Sequence, residues 1–270
     1  MSKDLYTCFI DSPHKSIKHS SYFKSYEYFF SKYRDKEITF IEIGVLNGGS
    51  LFMWREYFGP KARIIGIDLN PDAKKWEKDG FEIFIGSQSD ELFWSDLIEK
   101  IGGIDIVLDD GGHTYEQQII TTESLLDAVN DDGIIVVEDT HTSYIGGYGP
   151  KKYSFMKYVS VIIDRINYRS SFANNTLKAE KRIWSVEIIE SMVAFKINRS
   201  NSNETSYFIE NNGADNAATD FRYEDNKALI SLRSFAKKFK VLQAIPFLRF
   251  LYDKLQNFIA NRKFKAKKYF

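Results

Sequence analysis

Two short stretches of this sequence carry residues able to do chemistry. Asp109-Asp110-Gly-Gly-His113 follows the apolar run Ile104-Asp-Ile-Val-Leu108, and Glu138-Asp139-Thr-His141 follows Gly133-Ile-Ile-Val-Val137. Short β-branched runs without polar alternation read as strands buried on both faces of a parallel sheet. If the two are neighbours, their carboxyl ends lie roughly 5 Å apart, and Asp110, Glu138 and Asp139 converge on one small volume. Carboxylates that close repel, so either one of them keeps a proton or a divalent cation lies among them. Hard oxygen donors with open positions for water and substrate suit Mg²⁺ or Mn²⁺ better than zinc. The plainer alternative has the acids capping helices or facing solvent beyond the strand ends. A histidine beside each acidic pair weighs toward the metal.

Other elements must hold these strand ends in place. Between the two strands, Thr114 with Gln117 three residues on makes a capping box. Tyr115, Ile119, Thr122, Leu126 and Val129 then fall on one helical face, before Asn130-Asp-Asp-Gly133 turns the chain back. Upstream, Glu37-Ile-Thr-Phe-Ile41 is a first strand that runs into Glu42-Ile-Gly44-Val-Leu-Asn-Gly48-Gly49-Ser50 and a helix from Leu51 to Phe58. A strand, a glycine turn and a helix N-terminus let backbone approach a ligand and offer free N–H groups to an anion. The spacing of Gly44, Gly48 and Gly49 is not the G-x-G-x-x-G of dinucleotide binders. Arg63-Ile-Ile-Gly-Ile67 ends on Asp68, placed to accept ribose hydroxyls, and Gly80 to Ile85 ends on a turn holding Gln88 and Asp90. A ligand with a carboxylate, a ribose and a base would be spanned in that order, which fits S-adenosylmethionine better than a dinucleotide.

The flanks are less patterned. Residues before Lys15 show no period and read as loosely ordered. Tyr22, Phe23, Tyr26, Phe29, Phe30 and Tyr33 recur at helical spacing, as a helix packed on the sheet would, although Tyr22 or Tyr26 could instead cover a cofactor. Beyond the fifth strand, Ser143 to Pro150 reads as a mobile loop over the site. A helix follows with Phe155, Met156, Val159, Ile162, Ile163 and Ile166 inward, then a hairpin of Arg182–Ile189 and Met192–Ile197 about Glu190-Ser191 at the sheet's edge. Tyr148-x-x-x-Lys152 imitates a dehydrogenase pair but brackets Gly149-Pro150, which denies it the helical turn such a pair needs.

Composition limits the function classes. At 270 residues, 43% hydrophobic, the chain can bury one sizeable α/β core. Cys8, the single cysteine, allows no intrachain disulfide and suits a reducing compartment. No apolar run approaches the roughly 18–20 residues of a membrane span, and Met1-Ser-Lys-Asp has no signal-peptide core, so the expectation is cytoplasmic. The net charge of +0 conceals a division: Lys227 to Phe270 holds twelve Lys or Arg against Asp253 alone, net +11, leaving 25 bases against 36 acids, net −11, in the rest. The body should repel nucleic acid, whereas the tail could attract an anionic membrane surface. The expected organisation is 1–36 as a helical lead-in, 37–198 as the catalytic domain, 199–226 as a polar linker and 227–270 as a basic amphipathic helical tail.

From about Lys18 to Tyr144 these residues resemble the class I S-adenosylmethionine-dependent methyltransferases. The likeness is specifically to the metal-dependent sugar O-methyltransferases of macrolide tailoring and their cephalosporin-hydroxylase-like relatives. It is carried by Tyr22 to Phe30, Glu42-Ile-Gly-Val-x-x-Gly48-Gly49-Ser50-Leu51-x-Met53-Trp54, Gly66-Ile-Asp68, Gly86-x-Gln88-x-Asp90, Asp109-Asp110-Gly-x-His113 and Glu138-Asp139-x-His141-Thr-Ser-Tyr144. The resemblance implies a Rossmann-like, mostly parallel sheet with an antiparallel edge hairpin and helices on both faces. It implies Glu42, Gly44 and Ser50 at the methionine end of the cofactor, with Gly48 in the turn, Asp68 at the ribose, Gln88 beside the adenine, and Asp109 among the cofactor-binding residues. Asp110, Glu138 and Asp139 would hold Mg²⁺ or Mn²⁺, and His113 or Asp110 would take the acceptor's proton. Gly112 departs from the serine common in the family, which puts one supporting hydrogen bond in doubt. The acceptor expected is a nucleotide-linked sugar or a surface glycan, and the assembly a homo-oligomer. A methyltransferase for a non-sugar diol or amine and a Rossmann-type oxidoreductase are the competing readings, the latter disfavoured by the glycine spacing.

Overall fold

The computed structural model describes residues 3–170, 178–214, 226–238, 245–262 and 265–269. The chain separates into two compact units, Met1–Tyr207 and Phe208–Phe270. The first is built on a seven-stranded sheet: β1 (Thr39–Ile43), β2 (Arg63–Asp68), β3 (Glu82–Ile85), β4 (Ile104–Asp109), β5 (Val129–Val137), β6 (Ile183–Ile189) and β7 (Met192–Ile197). Their order is β3-β2-β1-β4-β5-β7-β6. The first five strands are mutually parallel, while β7 pairs antiparallel to both β5 and β6. Helices α1 (Leu5–Ile10), α2 (Tyr22–Phe30), α3 (Gly49–Phe58), α4 (Glu91–Ile101), α5 (Tyr115–Leu125), α6 (Phe155–Asn167) and the short α7 (Arg199–Asn203) accompany it.

Alternation along the strands separates two cores, as a sheet buried on both faces requires. Phe40, Ile64, Ile106, Leu108, Ile134 and Val136 face one way, into the aromatic mass of α2 and α3: Tyr26, Phe30, Trp54 and Phe58. Ile41, Ile43, Ile65, Ile67, Val107, Ile135 and Val137 face the other way and pack with Trp94, Leu97, Leu125, Phe155 and Val159. Each such fully buried side chain contributes roughly 1.5–3 kcal/mol of transfer free energy.

Four expectations change on contact with the structure. The residues before Lys15 are ordered: Asp4 caps α1, whose Leu5 and Cys8 are buried and whose Leu5 N–H donates to Glu27 Oε1. One turn and a half is too short to show a period, and a partner 22 residues away holds it. Val129 belongs to β5, where it pairs with Ile104; Asn130, Asp131 and Asp132 are an exposed excursion within that strand, beside the register shift between Ile104 and Ile106. The expected mobile loop is anchored on Tyr115, whose hydroxyl donates to Thr142 O and Ile145 O and whose N–H donates to Tyr148 O. Ile163 of α6 turns outward at 37% exposure, because Phe155, Val159 and Ile162 already fill that face.

In the second unit, residues Lys227–Lys238 form α8 and Pro246–Arg262 form α9, followed by a 3₁₀ turn at Lys265–Tyr269. Of the expected basic amphipathic tail, Phe239, Lys240, Leu242 and Lys263 lie outside the described residues, as does part of the expected polar linker 199–226. Among the described residues no helix is long and apolar enough to cross a membrane.

Candidate active site

The site forms where the strand order reverses, between β1 and β4, the crevice that open α/β sheets offer to ligands. Register carries the strand ends to a common level. Ile43 is opposite both Ile67 and Asp109, and Asp109 is opposite Val137. The ladder continues one residue further, with Gly44 N–H donating to Ile67 O, Asp110 N–H to Ile43 O and Glu138 N–H to Asp109 O. Gly44, Asp110 and Glu138 therefore leave the sheet side by side.

Gly44 opens the turn with φ +93, and a Cβ there would lie 2.1 Å from Asp110 O, so only glycine lets the two loops touch. Leu46 follows at φ 45 with its side chain 83% exposed. The turn is pinned from below: Asp68 Oδ2 accepts the N–H groups of Val45 and Leu46 at 2.9 Å each, and Oδ1 accepts Asn70 N–H at 2.8 Å. Of the roughly four lone-pair positions a carboxylate offers, this leaves about one for a ligand hydroxyl. A cleft of about 330 Å³ runs past Gly44, Leu46, Asp68, Gln88, Asp110 and His113. A smaller cavity of about 170 Å³ beside it is lined by Lys15, Ser16, Asn47 and Ser50, with Ile17, Gly44, Leu46 and Asp110 common to both.

Two expected cofactor residues lie behind these walls. Glu42, fully buried within β1, accepts Ser50 Oγ–H at 2.8 Å and Trp54 Nε1–H at 3.0 Å. Burial pushes its carboxyl up to about 7, the charge of Asp110 adding to this and that of Lys18 opposing it. Asp109 is also buried and pushed up to about 7 by desolvation. Gln88 links it to the cleft, donating to Asp109 Oδ1 at 2.7 Å while accepting Gly112 N–H at 3.0 Å. At Gly112 itself a Cβ would lie 2.4 Å from Gln117 Oε1, the atom that accepts Thr114 N–H in the capping box, so a serine would require that side chain to shift.

The acids do converge, and the structure places a lysine among them. Asp110, His113 and Asp139 each offer a ligand atom within 4.8 Å of the others. His113 Nε2 stands 3.3 Å from Asp139 Oδ2 and 3.9 Å from Asp110 Oδ1, while its buried Nδ1 has no hydrogen-bond partner. Both His113 (φ 56) and Asp139 (φ 54) hold left-handed backbone, a strain that recurs at functional sites. Glu138 stands outside this trio, fully buried, its carboxylate accepting the hydroxyl of Tyr26. Tyr22 donates likewise to Asp139. Lys18, its side chain 2% exposed, sets Nζ 2.5 Å from Asp110 Oδ2 and 3.3 Å from Glu138 Oε2. Burial pulls that ammonium toward neutrality, but the charges of Glu138, Asp110 and Glu42 outweigh it and hold it above the usual lysine range. Burial raises Glu138 well above the ordinary carboxyl range, with Lys18 opposing and Asp110 reinforcing. Sequence reasoning offered a retained proton or a metal; an internal cation is a third resolution, and nothing near Lys18 in the sequence signals it. His19 and His141 flank Asp139 at 3.9 Å each, and His141 Nδ1 lies 2.9 Å from Ser191 Oγ.

The carboxylates of Asp110 and Asp139 at one mouth, with that of Glu138 behind, are an oxygen donor set that fits Mg²⁺ or Mn²⁺. The unpartnered His113 Nδ1 and Asp109 Oδ2 mark polar capacity that the folded chain does not use by itself.

Known proteins resemble this chain in sequence and fold. Residues 41–140 match the family model of a methyltransferase domain. The 8-demethyl-8-alpha-L-rhamnosyl tetracenomycin-C 2'-O-methyltransferase of Streptomyces olivaceus is 30% identical over 196 residues, 67% of this chain and 51% of that protein. The demethylmacrocin O-methyltransferase of Streptomyces fradiae is 33% identical over 131 residues, 46% of this chain and 33% of its own length. The chain thus spans about half, or less, of the length of these relatives. Among solved structures, the MycE methyltransferase of the mycinamycin biosynthetic pathway, in complex with Mg and SAH, superposes with a TM-score of 0.67 at 24% identity, over 76% of this chain and 55% of that one. The fold is that of the class I methyltransferases.

Proposed function

We propose that this chain, whose residues 41–140 are a methyltransferase domain, transfers the methyl group of S-adenosylmethionine to a sugar hydroxyl with the help of Mg²⁺ or Mn²⁺. The observation that carries the reading is the meeting of Asp110, His113 and Asp139 at the mouth of the cleft bounded by Gly44, Asp68 and Gln88. The relatives add to it, since the tetracenomycin enzyme is by its name an O-methyltransferase of a rhamnosyl compound and the demethylmacrocin enzyme is by its name an O-methyltransferase.

Methyl transfer from a sulfonium is an in-line displacement, so catalysis consists of positioning the acceptor oxygen and easing loss of its proton. Asp68 takes the ribose of the cofactor, Gln88 borders its base, and the turn opened by Gly44 receives its methionine end. Glu42, through Ser50, sets the floor at the methionine end. Asp110 and Asp139, with Glu138 behind, hold the divalent ion; when bound it would lower the pKa of a coordinated sugar hydroxyl. His113 Nε2, close to both acids, takes the proton from the acceptor oxygen as the carbon–oxygen bond forms, with Asp110 as the alternative base. The acceptor is a nucleotide-linked sugar or a surface glycan, and the basic tail from Lys227 would suit an anionic membrane face.

Calorimetry with S-adenosylmethionine against NAD, followed by methyl-transfer assays on glycosides and nucleotide sugars with and without EDTA, tests the reading. S-adenosylmethionine should bind and EDTA should stop turnover. Preference for NAD would overturn the cofactor, and undiminished turnover after EDTA would overturn the metal.

A further inference from the structure

We infer that Lys18 is a built-in counter-ion that competes with the divalent cation for the seat between Asp110 and Glu138, so that the metal binds only by expelling it. The inference rests on the metal reading above and adds to it a residue that sets the site's cation affinity.

Three observations converge. The ammonium already contacts Asp110 Oδ2 at 2.5 Å and both oxygens of Glu138 at 3.3–3.4 Å, so it holds oxygens of two of the three carboxylates assigned to the cation. Lys18 is buried, and no second cation can share two carboxylates with an ammonium at these distances without like-charge repulsion in a poorly screened interior. The lysine is also carried by the connection between α1 and α2, which runs over both cavities as a strap. Ser12 Oγ donates to Gly49 O at 2.7 Å, and a Cβ on Gly49 would lie 2.3 Å from His14 O, so the strap presses on the first turn of α3. His14 lies against Trp76 at 4.4 Å, and Ile17, 81% exposed, lines both cavities. Expelling Lys18 therefore loosens the strap beside the cleft, and by reciprocity anything that loosens the strap strengthens metal binding.

The test uses the full chain, Mg²⁺ and Mn²⁺ alone as ligands, titration calorimetry, and hydrogen exchange of residues 12–20 followed by mass spectrometry. In the unaltered chain, metal should raise exchange across 12–20. Lys18→Met, checked for folding by circular dichroism, should bind metal at least ~10-fold more tightly and exchange fast there with or without it. Ser12→Ala, remote from the carboxylates, should raise metal-free exchange and tighten metal binding by a few-fold, and it decides the matter if Lys18→Met does not fold. Unchanged or weaker metal affinity in the folded variants, or exchange over 12–20 indifferent to metal, overturns the competition. If neither the unaltered chain nor the variants bind either ion, the metal reading itself fails and this inference falls with it, an outcome distinct from binding without competition.

Discussion

Asp68 grips the glycine turn: its Oδ2 accepts the N–H groups of both Val45 and Leu46 at 2.9 Å, across 23 and 22 residues of sequence. The residue expected to receive a ribose is thus also the tie that shapes the loop over it. Asp68→Asn keeps one acceptor oxygen for the turn but substitutes an amide for the other. Affinity for S-adenosylmethionine should fall about 10-fold or more, from one or two lost charge-assisted hydrogen bonds, while the thermal midpoint moves little. Unchanged affinity by calorimetry would remove Asp68 from the cofactor site.

His113 stands 3.3 Å from Asp139 in left-handed backbone, with a buried and unpartnered Nδ1. As general base its loss should cost roughly 10²- to 10⁴-fold in rate. His113→Gln should lower kcat by that order, with S-adenosylmethionine affinity preserved. Near-normal turnover would move the role to Asp110.

Glu42 makes stability depend on pH in a definite direction. Burial lifts its folded-state carboxyl to about 7, against 4.5 for the free group. Between those values the folded state holds a proton that the unfolded chain releases, so stability is greatest at the acidic end and falls as pH rises through 7. The ionised carboxylate at pH 8 costs on the order of 3 kcal/mol, and Asp109, likewise lifted to about 7, acts in the same window. Glu42→Gln, which can still accept from Trp54, should melt higher than the unaltered chain at pH 8 and close to it at pH 5. An equal difference at both pH values would refute the assignment.

What was legible in the sequence was local. The strand ends at Asp109 and Val137, the Thr114–Gln117 capping box and the hairpin about Ser191 follow from side-chain period and turn chemistry within a few residues. The supporting contacts were not. Tyr26 was readable as a buried face of a helix, but that its hydroxyl meets Glu138, 112 residues on, is fixed only by how α2 lies on the sheet. Lys18 stands just ahead of the aromatic helix and reaches Asp110 across 92 residues, and lysine's usual place in solvent argues against its burial. Asn130-Asp-Asp-Gly133 misled because its composition signals a turn, while the pairing of Val129 with Ile104 extends the strand through it.

The second unit yields the last prediction. On α9 the side chains of Phe247, Phe250, Leu251, Leu255 and Phe258 are 46–66% exposed. At 100° per residue Phe247, Phe258, Leu251 and Leu255 fall within a quarter-turn, with Arg262 inside that arc and Lys254 at its edge. Apolar side chains interleaved with bases, in a segment of net charge +11, suit the boundary of an anionic bilayer. The aromatics would enter the headgroup region there, and each nearby base would add roughly 1 kcal/mol, weakened by salt. The competing reading, helices covering a second copy of the chain, buries the same stripe but needs no lipid charge. The full chain should therefore sediment with phosphatidylserine-containing vesicles at low salt, much less at high salt, and not with neutral vesicles. A chain shortened to end at Asp225 should stay folded and remain in the supernatant. Phe247→Ser with Phe258→Ser should release the full chain from vesicles without lowering its melting temperature. If the full chain ignores anionic vesicles while those two changes shift its mass in solution from oligomer to monomer, the stripe is a protein interface and the membrane reading is lost.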